Sequence, residues 1–339
     1  MADKDNKYNI HNASRLSVAP MMDWTDRHCR YLHRRMSRHA LLYTEMVTAP
    51  ALVRGGARHL LCFDPAEHPV ALQLGGSDPA ELAQAAQMGA DEGYDEVNLN
   101  IGCPSDRVQS GCFGAVLMQQ PDLVADCAAA MIAACDVEVT IKCRIGVDAQ
   151  EPADILPVFL EKMREAGVRR IIIHARKAWL QGLSPKENRD IPPLDYQLVH
   201  AMKRAFPDLH LSVNGGITSL EQAQAHLDAG MDGVMIGRAA YHAPADILLD
   251  ADRVIFGAEG GITAEDTVAA MRPYIARHLA NGGRLHQVTR HMLGLFAGRP
   301  GARGWRRVLS EQAHRDGAGL DVLDAGLAQL LPDEMSRAG

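Results

Sequence analysis

The sequence lacks the features of a membrane-spanning or secreted protein. None of its apolar runs reaches the roughly 18 residues that a membrane-spanning helix needs. The N-terminal stretch MADKDNKYNIHNAS has no apolar segment like that of a signal peptide. We therefore expect a cytoplasmic protein without a membrane partner, and nothing in the sequence points to an obligate protein partner.

The cysteines lack the pattern of a disulfide framework or a metal site. Their number is odd, no CxxC pair occurs, and the spacings do not suit zinc. We expect no metal, and we expect most of the thiols to be small buried side chains. The seven are Cys29, Cys62, Cys103, Cys112, Cys127, Cys135 and Cys143.

Short aliphatic segments recur along the first 240 residues and alternate with segments of helical character. Eight such runs occur: LSVAPM (16–21), LLYTEM (41–46), PVALQL (69–74), EVNLNI (96–101), VEVTIKC (137–143), RRIIIH (169–174), LHLSVN (209–214) and GVMIG (233–237). Strands alternating with helices predict parallel βαβ units, and eight units of this length predict a (β/α)8 TIM barrel. A doubly wound open sheet is the alternative, but no GxGxxG turn follows the first run.

The strand pattern stops near Pro244. After a linker around GAEGGIT (257–263), the apolar spacing becomes helical in the segments 264–280, 286–297, 304–314 and 320–331. The sequence therefore predicts an α/β protein in which a small C-terminal helical domain follows the barrel.

Polar or flexible residues stand at the predicted end of nearly every strand. The active sites of (β/α)8 barrels lie at these carboxyl ends. Each residue alone could simply cap the rim, but together they favour a functional rim. They are Pro20, Met21, Glu45, Gln73, Asn98, Asn100, Cys103, Lys142, Arg144, His174, Arg176, Asn214, Gly215, Gly216, Gly237 and Arg238.

The last two strands end in NGGIT and GRAA. Consecutive glycines let backbone N–H groups close on phosphate oxygens, and Arg238 adds positive charge. We expect a phosphate-bearing cofactor here; the alternative is that the glycines only relieve turn strain. Lys142 lies near the end of an apolar run. Its ammonium group would be a natural partner for the negative charge of a reduced flavin, and the alternative is a structural ion pair with Glu45. His174 also ends an apolar run, which favours a functional role. The alternative interpretation is a core histidine whose hydrogen bonds are all satisfied within the protein.

Cys103 follows the fourth run in the segment IGCPS. A thiol is mostly protonated near neutral pH and has no histidine base beside it in the sequence, which favours proton donation over covalent catalysis. The alternative is a buried structural cysteine. Cys112, in SGCFGA, is a second candidate, but Cys103 lies nearer the strand end.

The motifs resemble those of the tRNA-dihydrouridine synthase family over nearly the whole chain. They are APMMDWTD (19–26), NLNIGCPSDRVQSGCFGAVLM (98–118), IKCRIG (141–146), IHARKAWLQGLSPKENRDIPPLDY (173–196), VNGGI, MIGRAAY and GLFAGRPGARGWRRVLSE. The insert ARKAWLQGLSPKENR resembles the A subfamily, which reduces uridines 20 and 20a of the tRNA D-loop.

The resemblance implies FMN as cofactor and NADPH as reductant, in a barrel over residues 1–256 with a helical tRNA-binding domain over 262–335. It implies Cys103 as the proton donor. It implies tRNA contacts at Asn100, Lys186, Arg189, Arg303 and Arg306. It implies FMN contacts at Ala19, Pro20, Met21, Gln73, Lys142, His174, Asn214, Gly215, Gly216, Gly237 and Arg238.

The implied reaction transfers hydride from N5 of FMN to C6 of uracil, while Cys103 protonates C5 on the opposite face. The target base must leave its stack to reach the barrel. Asn98 or Asn100 would then hydrogen-bond the uracil edge, and Lys142 would stabilise the anionic flavin.

The distribution of charge favours an RNA partner. Residues 267–310 contain eight arginines and no aspartate, glutamate or lysine, although the whole chain carries −7. The rest of the chain therefore carries −15, and so basic a segment on an acidic protein is typical of a phosphate-binding surface. Two alternatives remain: an FMN barrel that reduces a small pyrimidine, and a non-catalytic RNA-binding module.

Overall fold

The computed structural model describes residues 9–105, 111–259 and 261–330. Its centre is a closed barrel of eight parallel strands that follow one another in chain order. The strands are β1 (Leu16–Val18), β2 (Leu41–Thr48), β3 (Val70–Gly75), β4 (Glu96–Ile101), β5 (Glu138–Arg144), β6 (Arg170–His174), β7 (His210–Asn214) and β8 (Gly233–Ile236). The predicted TIM barrel is confirmed.

Helices surround the barrel and continue beyond it. Those up to the last strand are α1 (Ile10–Ala13), α2 (Arg27–Met36), α3 (Ala49–Val53), α4 (Pro79–Glu92), α5 (Pro121–Ala134), α6 (Pro152–Glu165), α7 (Tyr196–Ala205) and α8 (Leu220–Asp228). The rest are α9 (Arg238–His242), α10 (Pro244–Leu248), α11 (Ala251–Val254), α12 (Ala264–Ala280), α13 (Leu285–Thr289), α14 (Ala302–Gln312) and α15 (Asp321–Leu327). Short 3-10 turns occupy Arg58–Leu61, Pro65–Glu67, Gly114–Gln119 and Glu187–Arg189.

The helix expected over 286–297 is much shorter than its apolar spacing suggests. Helix α13 ends at Thr289 and a series of turns follows. A Cβ at Gly294 would lie 2.2 Å from the carbonyl oxygen of His242, so the chain packs directly against the barrel end. This contact is set by tertiary packing, which helical periodicity does not encode.

A buried ionic network fills the amino end of the barrel. Glu96 accepts a hydrogen bond from the hydroxyl of Tyr43 at 2.7 Å and is also bonded to Arg170 and Thr140. Arg170 reaches Glu138 as well, at 2.9 Å. Burial raises the pKa of Glu96, and the charge of Arg170 opposes that rise. The network closes the end of the barrel opposite the predicted site.

We expect Glu96→Ala to lower the free energy of unfolding by about 3 kcal/mol, because breaking a buried ion pair leaves Arg170 partly uncompensated. Chemical denaturation measures this change. Glu161→Ala is the matched control, since it breaks a 2.6 Å pair with Arg164 at the protein surface and should change stability very little. Equal losses in the two variants would contradict a stabilising role for the network.

The C-terminal helices meet the barrel beside its carboxyl end. Arg290 pairs with Asp26, in the loop after β1, at 2.6 Å. The ring of Trp24 stacks on Tyr241 with 4.5 Å between the centroids, and the hydroxyl of Tyr241 lies 3.2 Å from Nδ1 of His291. The helical segment is therefore attached near the predicted site.

Across the ranges that the structure describes, no helix combines the length and apolarity required to cross a bilayer. The same ranges contain no group of histidine, cysteine and acidic side chains arranged to bind a metal ion.

Candidate active site

The register of the barrel brings the predicted residues level with one another around its mouth, by which we mean the carboxyl ends of the strands and the loops after them. Asn100 lies beside Lys142 on the neighbouring strand. His174 lies between Arg144 and Asn214. Side chains separated by many residues in sequence therefore share one rim.

The predicted catalytic and cofactor residues all belong to this mouth, and two of the predicted tRNA contacts lie in the loop after β6. The mouth residues are Ala19, Pro20, Met21, Gln73, Asn100, Cys103, Lys142, His174, Asn214, Gly215, Gly216, Gly237 and Arg238. Lys186 and Arg189 are in the loop, whereas Arg303 and Arg306 lie on α14.

A chain of buried amides leads to Cys103. The amide nitrogen of Gln73 donates to Asn98 Oδ1 at 2.8 Å, and Gln73 Oε1 accepts from Asn100 Nδ2 at 2.8 Å. Asn100 Oδ1 then accepts from the backbone N–H groups of Gly102 and Cys103, each at 3.0 Å. These bonds fix the loop that carries the thiol.

Cys103 is partly exposed, as a reacting group must be. Its carbonyl oxygen accepts from Ala115 N at 2.9 Å, and its Sγ lies 3.5 Å from Ser105 Oγ. Cys112 is exposed and has a positive φ of 56°. Residues 106–110 of the predicted NLNIGCPSDRVQSGCFGAVLM motif lie outside the described residues. All seven cysteines lie within them and are free thiols.

The mouth is strongly cationic around the thiol. Burial, together with the nearby charge of Arg144, lowers the pKa of Lys142 from 10.5 to about 8. Burial also lowers the pKa of His174 well below 6.5, with Arg144 and Lys142 adding to the effect. The imidazole is therefore neutral at neutral pH.

A lysine ammonium group and a histidine ring nitrogen at the mouth have no partner among the described residues. No hydrogen bond or ion pair reaches the Lys142 ammonium group from residues 9–105, 111–259 or 261–330, and over the same ranges Nδ1 of His174 is buried without a partner. The alternative ion pair between Lys142 and Glu45 is not formed, because Glu45 instead accepts from the backbone N–H of Asp23. Unpartnered polar groups of this kind favour a bound ligand.

Glycines give the mouth a backbone cradle beside His174. Gly215 and Gly216 have φ of 108° and 73°, and a Cβ at Gly215 would lie 3.0 Å from Cε1 of His174. On the adjoining side, a Cβ at Gly237 would lie 3.5 Å from that of Ala19. Arg238 lies at the same edge but already pairs with Asp190 at 2.8 Å.

Arg144 ties the Cys103 loop to the loop after β6. Its Nε donates to the carbonyl oxygen of Gly102 at 3.1 Å, and its Nη1 donates to those of Asn188 at 3.0 Å and Lys177 at 3.3 Å. The sequence places Arg144 at a strand end but does not predict that it bridges two loops. It also does not predict that Asn188 is buried, because an asparagine within SPKENRD is indistinguishable from an ordinary turn residue.

Most of the arginine-rich segment is neutralised within the fold. Five of the eight arginines in residues 267–310 pair with acidic side chains outside that segment. In the part of the chain that the structure describes, Arg303 and Arg306 are exposed on α14 without an ion pair. The net charge of the segment is therefore larger than the charge available to bind a partner. The arginines without an ion pair lie on α14.

The fold and the site define a (β/α)8-barrel protein whose mouth combines a thiol, an unpartnered lysine ammonium group and a glycine cradle. The chain belongs to the Dihydrouridine synthase (Dus) family, which matches residues 17–331. It is 56% identical to a tRNA-dihydrouridine(20/20a) synthase of Shewanella oneidensis, over 94% of this chain and 95% of that protein. It is 57% identical to the protein of the same name from Escherichia coli K12, over 95% of this chain and 93% of that protein.

A solved structure has the same fold. It is an old yellow enzyme homologue from Zymomonas mobilis, with a TM-score of 0.51 and 13% identity, covering 75% of this chain and 92% of that chain. The similarity supports the barrel architecture and, at this identity, nothing beyond it.

Proposed function

We propose that this protein is a cytoplasmic, FMN-dependent enzyme that reduces uridine to 5,6-dihydrouridine in the D-loop of tRNA, at positions 20 and 20a, with NADPH as reductant. One observation carries the proposal: the loop that carries the Cys103 thiol is held by Asn100 at a cationic mouth with unpartnered groups. The names of the relatives that share over half of its residues support the substrate and the positions.

The mouth residues fit FMN. The cradle of Gly215 and Gly216 would hold the phosphate, together with Gly237. Arg238 would join them if it exchanged its ion pair with Asp190 for the phosphate. The unpartnered Lys142 ammonium would lie against the flavin ring, where its charge favours the anionic reduced form.

Lys142→Met should stabilise the flavin-free protein near pH 7, by about 1–3 kcal/mol, because it removes a desolvated cation. The pKa of Lys142 is lowered to about 8 in the folded protein, so the penalty is complete below that pH. It disappears as the pH rises toward 10.5, the value at which an unperturbed lysine also loses its proton. Thermal unfolding of wild type and variant across this range measures the effect.

The same variant should bind FMN about tenfold to a hundredfold more weakly, as expected for a lost charged contact. Lys162→Met, on the outer helix α6, is the matched control and should change neither property. A Lys142→Met protein that is less stable without flavin, yet binds FMN normally, would show that the lysine serves the fold.

The side chains of this protein then do the following. FMN, when bound, would supply the hydride that reaches C6 of the uracil, with NADPH as the source of its electrons. Cys103 holds a proton on Sγ and donates it to C5. Asn100 is 9% exposed and keeps one amide hydrogen free for a uracil carbonyl, whereas Asn98 is fully buried and bonded to Gln73 and Thr140. Asn100 is therefore the better candidate for binding the uracil edge.

The test uses the purified protein with FMN, NADPH and an unmodified tRNA transcript. We expect dihydrouridine in the tRNA, detected by mass spectrometry of the digested product. Free uridine, uridine monophosphate and uracil serve as comparison substrates and should react far more slowly. Efficient reduction of a free pyrimidine, without reaction of tRNA, would favour the small-molecule alternative.

A further inference from the structure

The loop after β6, residues 176–191, exposes apolar surface at the barrel mouth. Among the described residues, five large apolar side chains are strongly exposed, and two of them, Trp179 at 42% and Ile191 at 60%, belong to this loop. A tryptophan is the largest apolar side chain, and its exposure beside a substrate site is typical of a binding surface.

The backbone that carries Trp179 is held firmly. Asn188, which is fully buried, accepts from Trp179 N at 2.7 Å and donates to Trp179 O at 2.8 Å. Its amide also donates to the carbonyl oxygen of Leu183 at 3.1 Å. On the other side, the backbone of Ala178 pairs with Gly146 at 3.0 Å. The indole is therefore exposed from a rigid loop.

The surroundings of the indole carry positive charge. The Lys177 ammonium lies 5.3 Å from the ring centroid and is anchored on the carbonyl oxygen of Gln150 at 2.9 Å. The loop contains four basic and two acidic residues. Both acids already have partners, since Asp190 pairs with Arg238 and Glu187 accepts from Ser184 N.

The loop is connected to the thiol through one side chain. Arg144 binds the carbonyl oxygens of Lys177 and Asn188 in the loop, and that of Gly102 beside Cys103. A base placed at the thiol would therefore bring its neighbouring nucleotide close to this loop. Aromatic rings next to basic side chains are the usual platforms for unpaired bases.

We propose that the indole of Trp179 stacks on an unpaired tRNA nucleotide adjacent to the uridine that enters the barrel, and that Asn188 positions the indole for this contact. The proposal rests on the proposed function. It assigns to Trp179 the binding of a base next to the uridine that enters the barrel.

The experiment compares wild type, Trp179→Ala and Trp179→Phe on unmodified tRNA. Val158→Ala is the control, because Val158 is 54% exposed on the outer helix α6. We expect Trp179→Ala to raise KM for tRNA about tenfold, within the range for the loss of one stacked base, and to change kcat much less. Trp179→Phe should recover most of the affinity. Val158→Ala and the NADPH oxidation rate without tRNA should stay at wild-type values.

A panel of transcripts, each with one abasic D-loop position, identifies the stacked base. At one position next to the target, removing the base should raise KM for the wild type but hardly for Trp179→Ala, because the contact is already lost. An unchanged KM for Trp179→Ala would overturn the stacking proposal. So would a panel in which, at every position, removing the base raises KM by the same factor in Trp179→Ala as in the wild type. If wild type forms no dihydrouridine in the intact transcript, the proposed function fails, and the stacking proposal fails with it.

Discussion

Cys103→Ala should slow dihydrouridine formation in tRNA by about 10²–10⁴-fold, the usual contribution of a positioned acid. We propose the thiol as the proton donor at the mouth, and alanine leaves its place without a transferable proton. The amide chain through Asn100 holds the backbone rather than the sulfur, so the loop should keep its conformation. Reduction of bound flavin by NADPH and the affinity for tRNA should therefore stay unchanged.

Cys112→Ala is the matched control for this prediction. Cys112 is exposed, lies nine positions further along the chain and is also a free thiol. Its replacement should leave the rate of dihydrouridine formation intact. Stopped-flow measurement of one turnover on pre-reduced protein separates the proton-transfer step from flavin reduction. A Cys103→Ala protein with the wild-type single-turnover rate would remove the thiol from the reaction.

The double variant Arg303→Ala and Arg306→Ala should weaken tRNA binding about tenfold to a hundredfold at low salt, as expected for lost phosphate contacts. Both arginines are exposed on α14, and five other arginines of the same segment are paired within the protein. The slope of the logarithm of affinity against the logarithm of salt concentration should become shallower by about one to two units. Fluorescence anisotropy with labelled tRNA measures both.

A control of equal charge is Arg169→Ala with Arg253→Ala. Arg169 precedes β6 at the amino end of the barrel. Arg253 lies on the short helix α11 and pairs with Asp250, which precedes that helix. These changes remove the same two charges at other places and should shift the affinity far less. Equal losses in both double variants would mean that overall charge, rather than a surface on α14, attracts the tRNA.

The barrel was predictable because each of its elements has a local signature. The run EVNLNI coincides with β4, and the other runs match their strands to within a few residues. The largest deviation is β1, which ends at Val18 although its apolar run continues to Met21. There the backbone N–H of Met21 bonds to the hydroxyl of Thr25 at 2.9 Å, so the chain turns instead of extending the sheet.

The candidate site was predictable where its residues stand at strand ends. Parallel strands bring their carboxyl ends together, so the sequence alone groups Lys142, His174 and Asn214 at one site. The bridge made by Arg144 could not be predicted, because its partners lie 33 to 44 positions away in the sequence. The amide of Asn188 bonds to residues only four to nine positions away, but the sequence does not show that this side chain is buried. Pairing of the C-terminal arginines depends on the same long-range contacts, and net charge cannot predict it.

The most direct test of the proposed activity is a map of dihydrouridine in an unmodified tRNA after reaction with the purified protein in the absence of other enzymes. We predict dihydrouridine at positions 20 and 20a of the D-loop, formed only when both FMN and NADPH have been supplied. A tRNA that remains unmodified while NADPH reduces the bound flavin would contradict the proposed activity.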